Sequence, residues 1–150
     1  MSAPTVFTNC AIGVTTGTAT GAVTLITGVK EVTAGISRAE LGDSVMGDTV
    51  ETFYPGVITA PISVVCREDY DSSTGNNQKF YNLMINRTKF NVSIIPVNAT
   101  VSGTNPVIYY EGMYCTAANA APSGAWGTSV ENRLEFRPAS GCTVTRATST

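Results

Sequence analysis

From residue 130 to 137 the sequence alternates without interruption: Val130, Asn132, Leu134 and Phe136 share one side of an extended chain, and Glu131, Arg133, Glu135 and Arg137 share the other. Successive side chains of a strand point to opposite faces, so this segment is a strand with one core face and one charged face. A helix would scatter the same charges through its apolar stripe. The period recurs. Residues 89–95 place Phe90, Val92 and Ile94 opposite Asn91 and Ser93, and residues 57–67 place Ile62, Val64 and Cys66 opposite Ser63, Val65 and Arg67. Pro61 has no amide donor, so its end of that strand belongs at an edge or a bulge. Residues 107–117 set Val107, Tyr109, Met113 and Cys115 against Ile108, Tyr110 and Tyr114. Large groups on both faces predict a strand covered on both sides. Residues 23–33 are rich in β-branched side chains, with Gly28 marking a bulge or a close approach of another backbone. Gly141 is read as a turn into a last strand over 142–146.

One segment has the other period. Phe80, Leu83 and Met84 stand at i, i+3 and i+4, an apolar stripe that predicts one short helix over about 75–86, its firmest part from Gln78 to Asn86. Ser73 or Thr74 is the expected cap. Between a short strand near 36–41 and the strand from Val57 lies a long polar loop over about 42–55, punctuated by Gly42, Asp43, Gly47 and Asp48 and closed by the turn dipeptide Pro55-Gly56. Loops of that length in a compact domain are usually functional or disordered. A small-residue loop over 117–127 holds the lone Trp126. The expected fold is therefore mainly β: a sandwich or small barrel of seven or eight strands with one helix. With 150 residues, 43% of them hydrophobic, the chain suits a single domain over 1–150, with 1–20 and 147–150 as extended arms.

The residues exclude more chemistry than they offer. The chain has no histidine, which removes Ser-His-Asp and Cys-His nucleophile systems and imidazole zinc sites. Cys10, Cys66, Cys115 and Cys142 are too widely spaced for a paired-cysteine metal motif. Two disulfides stay open to them, but residues 1–5 show no basic-then-apolar leader, so reduced and mostly buried thiols are expected. No run reaches the length of a membrane span. Glu131 and Glu135 alternate with arginines, as in an exposed cross-paired ladder; Glu68, Asp69 and Asp71 gather at a strand end as the other carboxylate cluster, and Asp69, Asp71 and Ser72 lack calcium-loop spacing. The stretch from Gly17 to Gly21 is too short for a phosphate loop. Tyr109, Tyr110 and Tyr114 read as packing groups, and the three glycosylation triplets at Asn86, Asn91 and Asn98 are within chance. Neither a metal nor a cofactor is expected, and the chain does not read as an enzyme.

Charge points toward self-association. Charged residues make up 13% of the chain, well under the roughly 25% of an average domain, and 22 Thr and 12 Ser finish the surface instead. A net charge of −2 argues against a phosphate-neutralising nucleic-acid binder. The charges are also segregated: residues 31–71 hold eight acids and two bases, a net of −6, and the remainder holds three acids and seven bases, a net of +4. Such halves can dock head to tail between copies; the other reading of the same charges is a scattered, solvated surface.

Three stretches in fixed order carry a resemblance: Ile26-Thr-Gly-Val-Lys-Glu-Val-Thr33, Arg38-Ala-Glu-Leu-Gly-Asp-Ser44 and Glu51-Thr-Phe-Tyr-Pro-Gly-Val-Ile58, with Tyr70-Asp71 leading into the helix. The pattern, over about 23–138, resembles the major tail tube proteins of long-tailed bacteriophages. The resemblance implies six-membered rings that stack into a hollow tube, with strands of all six copies closing an inner barrel so that no edge stays unpaired. It implies transient, non-specific passage of DNA, partners among other tail proteins (tape measure, tail tip, terminator), no membrane, and a place in the virion tail after assembly in the host bacterial cytoplasm. The ring-stacking segment it implies comprises Arg38, Glu40, Gly42, Asp43, Ser44, Met46, Asp48, Phe53, Tyr54, Pro55 and Gly56; the charge pattern of this sequence, not the resemblance, offers Arg133, Arg137 and Arg146 as basic groups for the acidic segment to meet. The alternatives are a decoration or adhesion module of a virion, a single-ring tail terminator, and a ring protein of a type VI secretion system.

Overall fold

The structure is a computed structural model that describes residues 10–16, 24–70, 75–97, 99–118 and 130–149. Trp126, Asp71, Ser72, Ser73, Thr74, Asn98 and the 17–21 stretch lie outside the described residues. In chain order the elements are β1 (Ala11–Thr15), β2 (Thr24–Leu25), β3 (Val29–Ala34), β4 (Ser37–Gly42), β5 (Phe53–Thr59), β6 (Ile62–Arg67), α1 (Asn76–Ile85), β7 (Phe90–Ile95), β8 (Val107–Ala117) and β9 (Glu131–Ala147). Seven strands form one antiparallel sheet in the order β2-β1-β7-β8-β9-β6-β3, and β4 pairs with β5 alone.

That order forces the sheet to curl. β2 and β3 sit at its opposite ends, yet only Ile26, Thr27 and Gly28 separate them. Four Cα steps span at most about 14 Å, whereas the outer strands of a flat seven-stranded sheet lie roughly 29 Å apart. The sheet therefore bends into a half-barrel, the second of the two expected architectures. Each crossing residue is tied to a different neighbour. Ile26 donates its amide to Ile12 O at 2.9 Å, and the Gly28 carbonyl accepts from Arg67 N at 2.9 Å. Between them, Thr27 O accepts from the side-chain amide of Asn76 at 2.9 Å. Gly28 has φ +65°, and a Cβ there would stand 3.0 Å from Arg67 Cβ. The close approach expected at Gly28 is real, but it divides the 23–33 segment into two strands on opposite edges.

The helix closes the concave side. Phe80 is fully buried and stacks with Phe90 of β7 and Phe136 of β9, at ring-centroid distances of 6.3 and 5.5 Å, and those two meet edge-on at 5.0 Å. Edge-to-face aromatic pairs add to their burial energy. Leu83 and Met84 pack on the same cluster, as the stripe predicted. Gly75, not Ser73 or Thr74, is the N-cap, and it makes no side-chain cap bond. The first turn is held by Asn77 N donating to Asp69 O at 3.1 Å and by the Asn76 bond above.

Three strand assignments are corrected by glycine. In β8, Gly112 (φ +83°) lies in a bulge, so the pairing slips between Glu111 and Met113. The slip brings Tyr110 to the core with Met113 and Cys115, in place of Tyr109. Gly141 (φ +78°) lies inside β9, which runs 17 residues without a turn. Pro55-Gly56 is not a turn but part of β5, and Ala60-Pro61 separates β5 from β6. The alternations at 89–95 and 130–137 hold: Phe90, Val92, Leu134 and Phe136 are buried, and Glu131, Arg133 and Arg137 are exposed. The four cysteines are free, two buried and two half-buried; burial pushes the Cys66 and Cys115 thiols up to about 11.

A Gly28→Val substitution places a β-branched residue at positive φ against Arg67 and is expected to destabilise the fold by about 2–3 kcal/mol, measured by urea denaturation. An unchanged midpoint would mean that the crossing tolerates relaxation.

A candidate assembly interface

β4 and β5 continue the ladder of β3 and β6 outward. The inner and outer halves meet at Gly35 and Pro61, where Gly35 N donates to Pro61 O at 3.3 Å. Pro61 returns no donor, so the ladder is interrupted and the outer pair leaves the curled sheet. Among the described residues it packs on no other element to any extent. β4 alone has six residues, a reach of roughly 20 Å at about 3.3 Å per residue. The pairing sets Ser37 opposite Thr59, Arg38 opposite Ile58, Glu40 opposite Pro55, Leu41 opposite Tyr54 and Gly42 opposite Phe53, with a bulge between Arg38 and Glu40. Gly56 occupies the bulge because a Cβ there would lie 3.0 Å from both Cβ and O of Ala39. Arg38 donates from its guanidinium to Gly56 O at 3.2 Å, and the Ser37 and Thr59 hydroxyls are 2.8 Å apart.

Residues 43–52 form the tip of this arm, and its backbone is organised from within. Val45 N donates to Asp48 Oδ2 at 2.8 Å, Thr52 N donates to Ser44 Oγ at 2.9 Å, and Asp43 N donates to Thr52 O at 2.9 Å. Gly47, at φ +106°, supplies the left-handed turn. The expected loop of 42–55 thus shrinks to ten residues, with strands on both sides. Asp48 is a turn-former, and Asp43 and Glu51 are the tip carboxylates outside that network.

The arm exposes what a monomer would bury. Ile36, Leu41, Val45, Met46, Val50, Phe53, Tyr54, Val57 and Ile58 are all exposed, and Met46, at the tip, is fully so. By the register, Leu41 and Tyr54 lie on one face of the hairpin and Phe53 and Ile58 on the other. Contiguous exposed apolar surface of this kind marks an interaction site, and apolar groups on both faces call for cover from both sides. Of the expected stacking residues, Arg38, Glu40 and Gly42 fall on β4, Asp43, Ser44, Met46 and Asp48 on the tip, and Phe53, Tyr54, Pro55 and Gly56 on β5.

The arginines expected to meet them are not brought together. Arg133 and Arg137 lie on the face of β9 opposite Leu134 and Phe136, whereas Arg146 shares the face of Val144, which packs on the core. The carboxylate cluster also has another use. Glu68 Oε1 accepts from the side-chain amides of Asn77 at 2.7 Å and Asn132 at 3.2 Å, joining the end of β6 to the helix and β9. Asn132 is completely buried, and its place in the apolar register of 130–136 was the one sequence signal of this polar joint. Glu131 is paired with Lys30, whose ammonium holds the carboxyl below the usual range. No group of three potential metal ligands occurs among the described residues.

The fold recurs in solved structures. The chain aligns over 97% of its length with 80% of a subunit of the SPP1 tail tube, at a TM-score of 0.73 and 11% identity. It covers 90% of itself and 94% of a chain in the tail of an empty gene transfer agent particle treated with C6 symmetry (TM-score 0.61, 12% identity). A chain of the sheath–tube complex of an extracellular contractile injection system matches 97% of this chain and 92% of its own length (TM-score 0.65, 12% identity). The chain has the tail tube fold. No protein-family model and no curated protein sequence matches it, so the likeness lies in the tail tube architecture and not in shared residues.

Asp48→Ala removes the acceptor for Val45 N. A bond of about 1 kcal/mol corresponds to roughly fivefold in a local opening equilibrium. Hydrogen exchange at Val45 is expected to accelerate by that factor with the melting temperature of the body unchanged; unchanged exchange would mean that the tip is held otherwise.

Proposed function

We propose that the chain is a structural tail tube subunit that forms six-membered rings stacked into a hollow conduit for DNA in a virion tail. The observation that carries this reading is the arm: a hairpin with apolar side chains on both faces and a preorganised tip, projecting from a body with the tail tube fold. A solitary chain leaves this surface in water, and a stacked assembly covers it. The six-fold symmetry in the description of the gene transfer agent tail supports a ring of six. The acidic segment over 31–71 and the basic remainder suit a heterologous contact that repeats along an axis. A lumen that held phosphates strongly would retard DNA, since each basic contact adds counterion-release affinity, and nine basic residues in 150 suit passage without capture. The role is structural, and the further partners are the tail proteins that begin, fill and end such a tube.

Negative-stain electron microscopy of the concentrated protein tests the reading. Open-ended hollow tubes are expected, and Met46→Asp is expected to abolish them while leaving the circular dichroism spectrum intact. Isolated rings that never stack would favour a terminator, and ring-free particles at every concentration would favour a decoration or adhesion module.

A further inference from the structure

Among the described residues, one cavity has the character of a receptor. It measures about 210 Å³ and lies between the helix and the β1–β2 edge of the sheet. Val14 and Phe90, both buried, contribute apolar walls with Leu83, and Thr16, Thr24 and Lys79 contribute the polar rim. The site is half open and its lining is more polar than apolar, and its volume exceeds the roughly 150 Å³ of an enclosed cavity that holds a benzene ring, so by volume it has room for a methionine side chain with a carboxylate at the polar rim. Lys79 is half-buried, and desolvation pushes its ammonium below the ordinary lysine range. The other two lysines have partners: Lys30 pairs with Glu131, and Lys89 lies 6.0 Å from the Tyr114 ring centre. Among the described residues Lys79 has no ion-pair or ring partner, and none of the residues lining the cavity is acidic. A partly desolvated cation without a counter-charge is unfavourable until an anion arrives.

The arm tip has the complementary chemistry. Residues 43–52 carry Asp43, Asp48 and Glu51 and no base. Asp48 is committed to the turn, which leaves Asp43 and Glu51, near the two ends of the tip, with carboxylates to offer. Val45 and Met46 are exposed between them. We propose that the cavity beside Lys79 is the socket for the arm tip of a second copy, with Met46 against Phe90 and Leu83 and a carboxylate of Asp43 or Glu51 at the Lys79 ammonium. This rests on the reading that the arm bridges copies, and it replaces the divided arginines of β9 with a single receiving site.

The test is a photo-crosslinking residue at position 46 in assembled protein, with the joined peptides identified by mass spectrometry. Crosslinks from position 46 to the segments holding Val14, Thr24 or Lys79–Leu83 of another copy are the expected result. Crosslinks between copies that fall only on the Arg133 and Arg137 face would overturn the socket and leave the bridging arm standing. Crosslinks within one chain alone, or none in the assembled protein, would overturn both. As a second measurement, Lys79→Glu is expected to raise the critical concentration for assembly about tenfold. Combining it with Asp43→Lys and Glu51→Lys is expected to restore assembly to within about threefold. Failure of that rescue, with each variant folded by circular dichroism, would contradict the pairing.

Discussion

The crossing at Ile26, Thr27 and Gly28 governs the shape of the molecule. Three residues join strands at the two ends of a seven-stranded sheet, and only a curled sheet brings those ends close enough. The curl creates the concave side that Phe80, Phe90 and Phe136 fill, and it gives the short helix its packing surface. The crossing is in turn held by the helix, because Asn76 at its first residue ties down Thr27. A ten-residue helix is marginal by itself, so helix and curl depend on each other.

From the same edge the chain is launched outward. β3 and β6 belong to the curled sheet, β4 and β5 do not, and Pro61 marks the division by withholding one ladder bond. The sheet thus separates two kinds of apolar residue: those buried in the core, and those on the arm that are exposed in the single chain. Internal hydrogen bonding of the tip keeps that exposed surface in one conformation. Preorganisation of this sort lowers the entropy lost on association, which suits a contact repeated many times along a filament.

Much of this was legible in the residues, and the failures have separate physical causes. Alternation located β7 and the first half of β9, and the Phe80, Leu83, Met84 stripe located the helix within two residues of its observed start. The arm was legible as a region out of the ordinary but not as a hairpin. Its strands bear exposed apolar groups on both faces and so show no period-two signal. Glycine misled at Gly56 and Gly141, which sit in or beside irregular ladders instead of turns, and the bulge at Gly112 was not read at all; a sequence marks the permissive residue without telling bulge from turn. β1 went unseen because Ala11–Thr15 is buried at its first four positions and so lacks alternation. Asp48 looked like a surface charge and proved to be a local acceptor. The cavity at Lys79 draws on β1, β2, the helix and β7, four elements that only the fold brings together.

The central claim is that the arm is exposed in one copy and covered by another. Hydrogen–deuterium exchange of the protein before and after assembly reads this most directly. The account predicts strong new protection across 43–52 and along β4 and β5 on assembly, with little change at the already buried Ile62–Arg67 strand. Assemblies in which the arm exchanges as fast as in the isolated chain would contradict it.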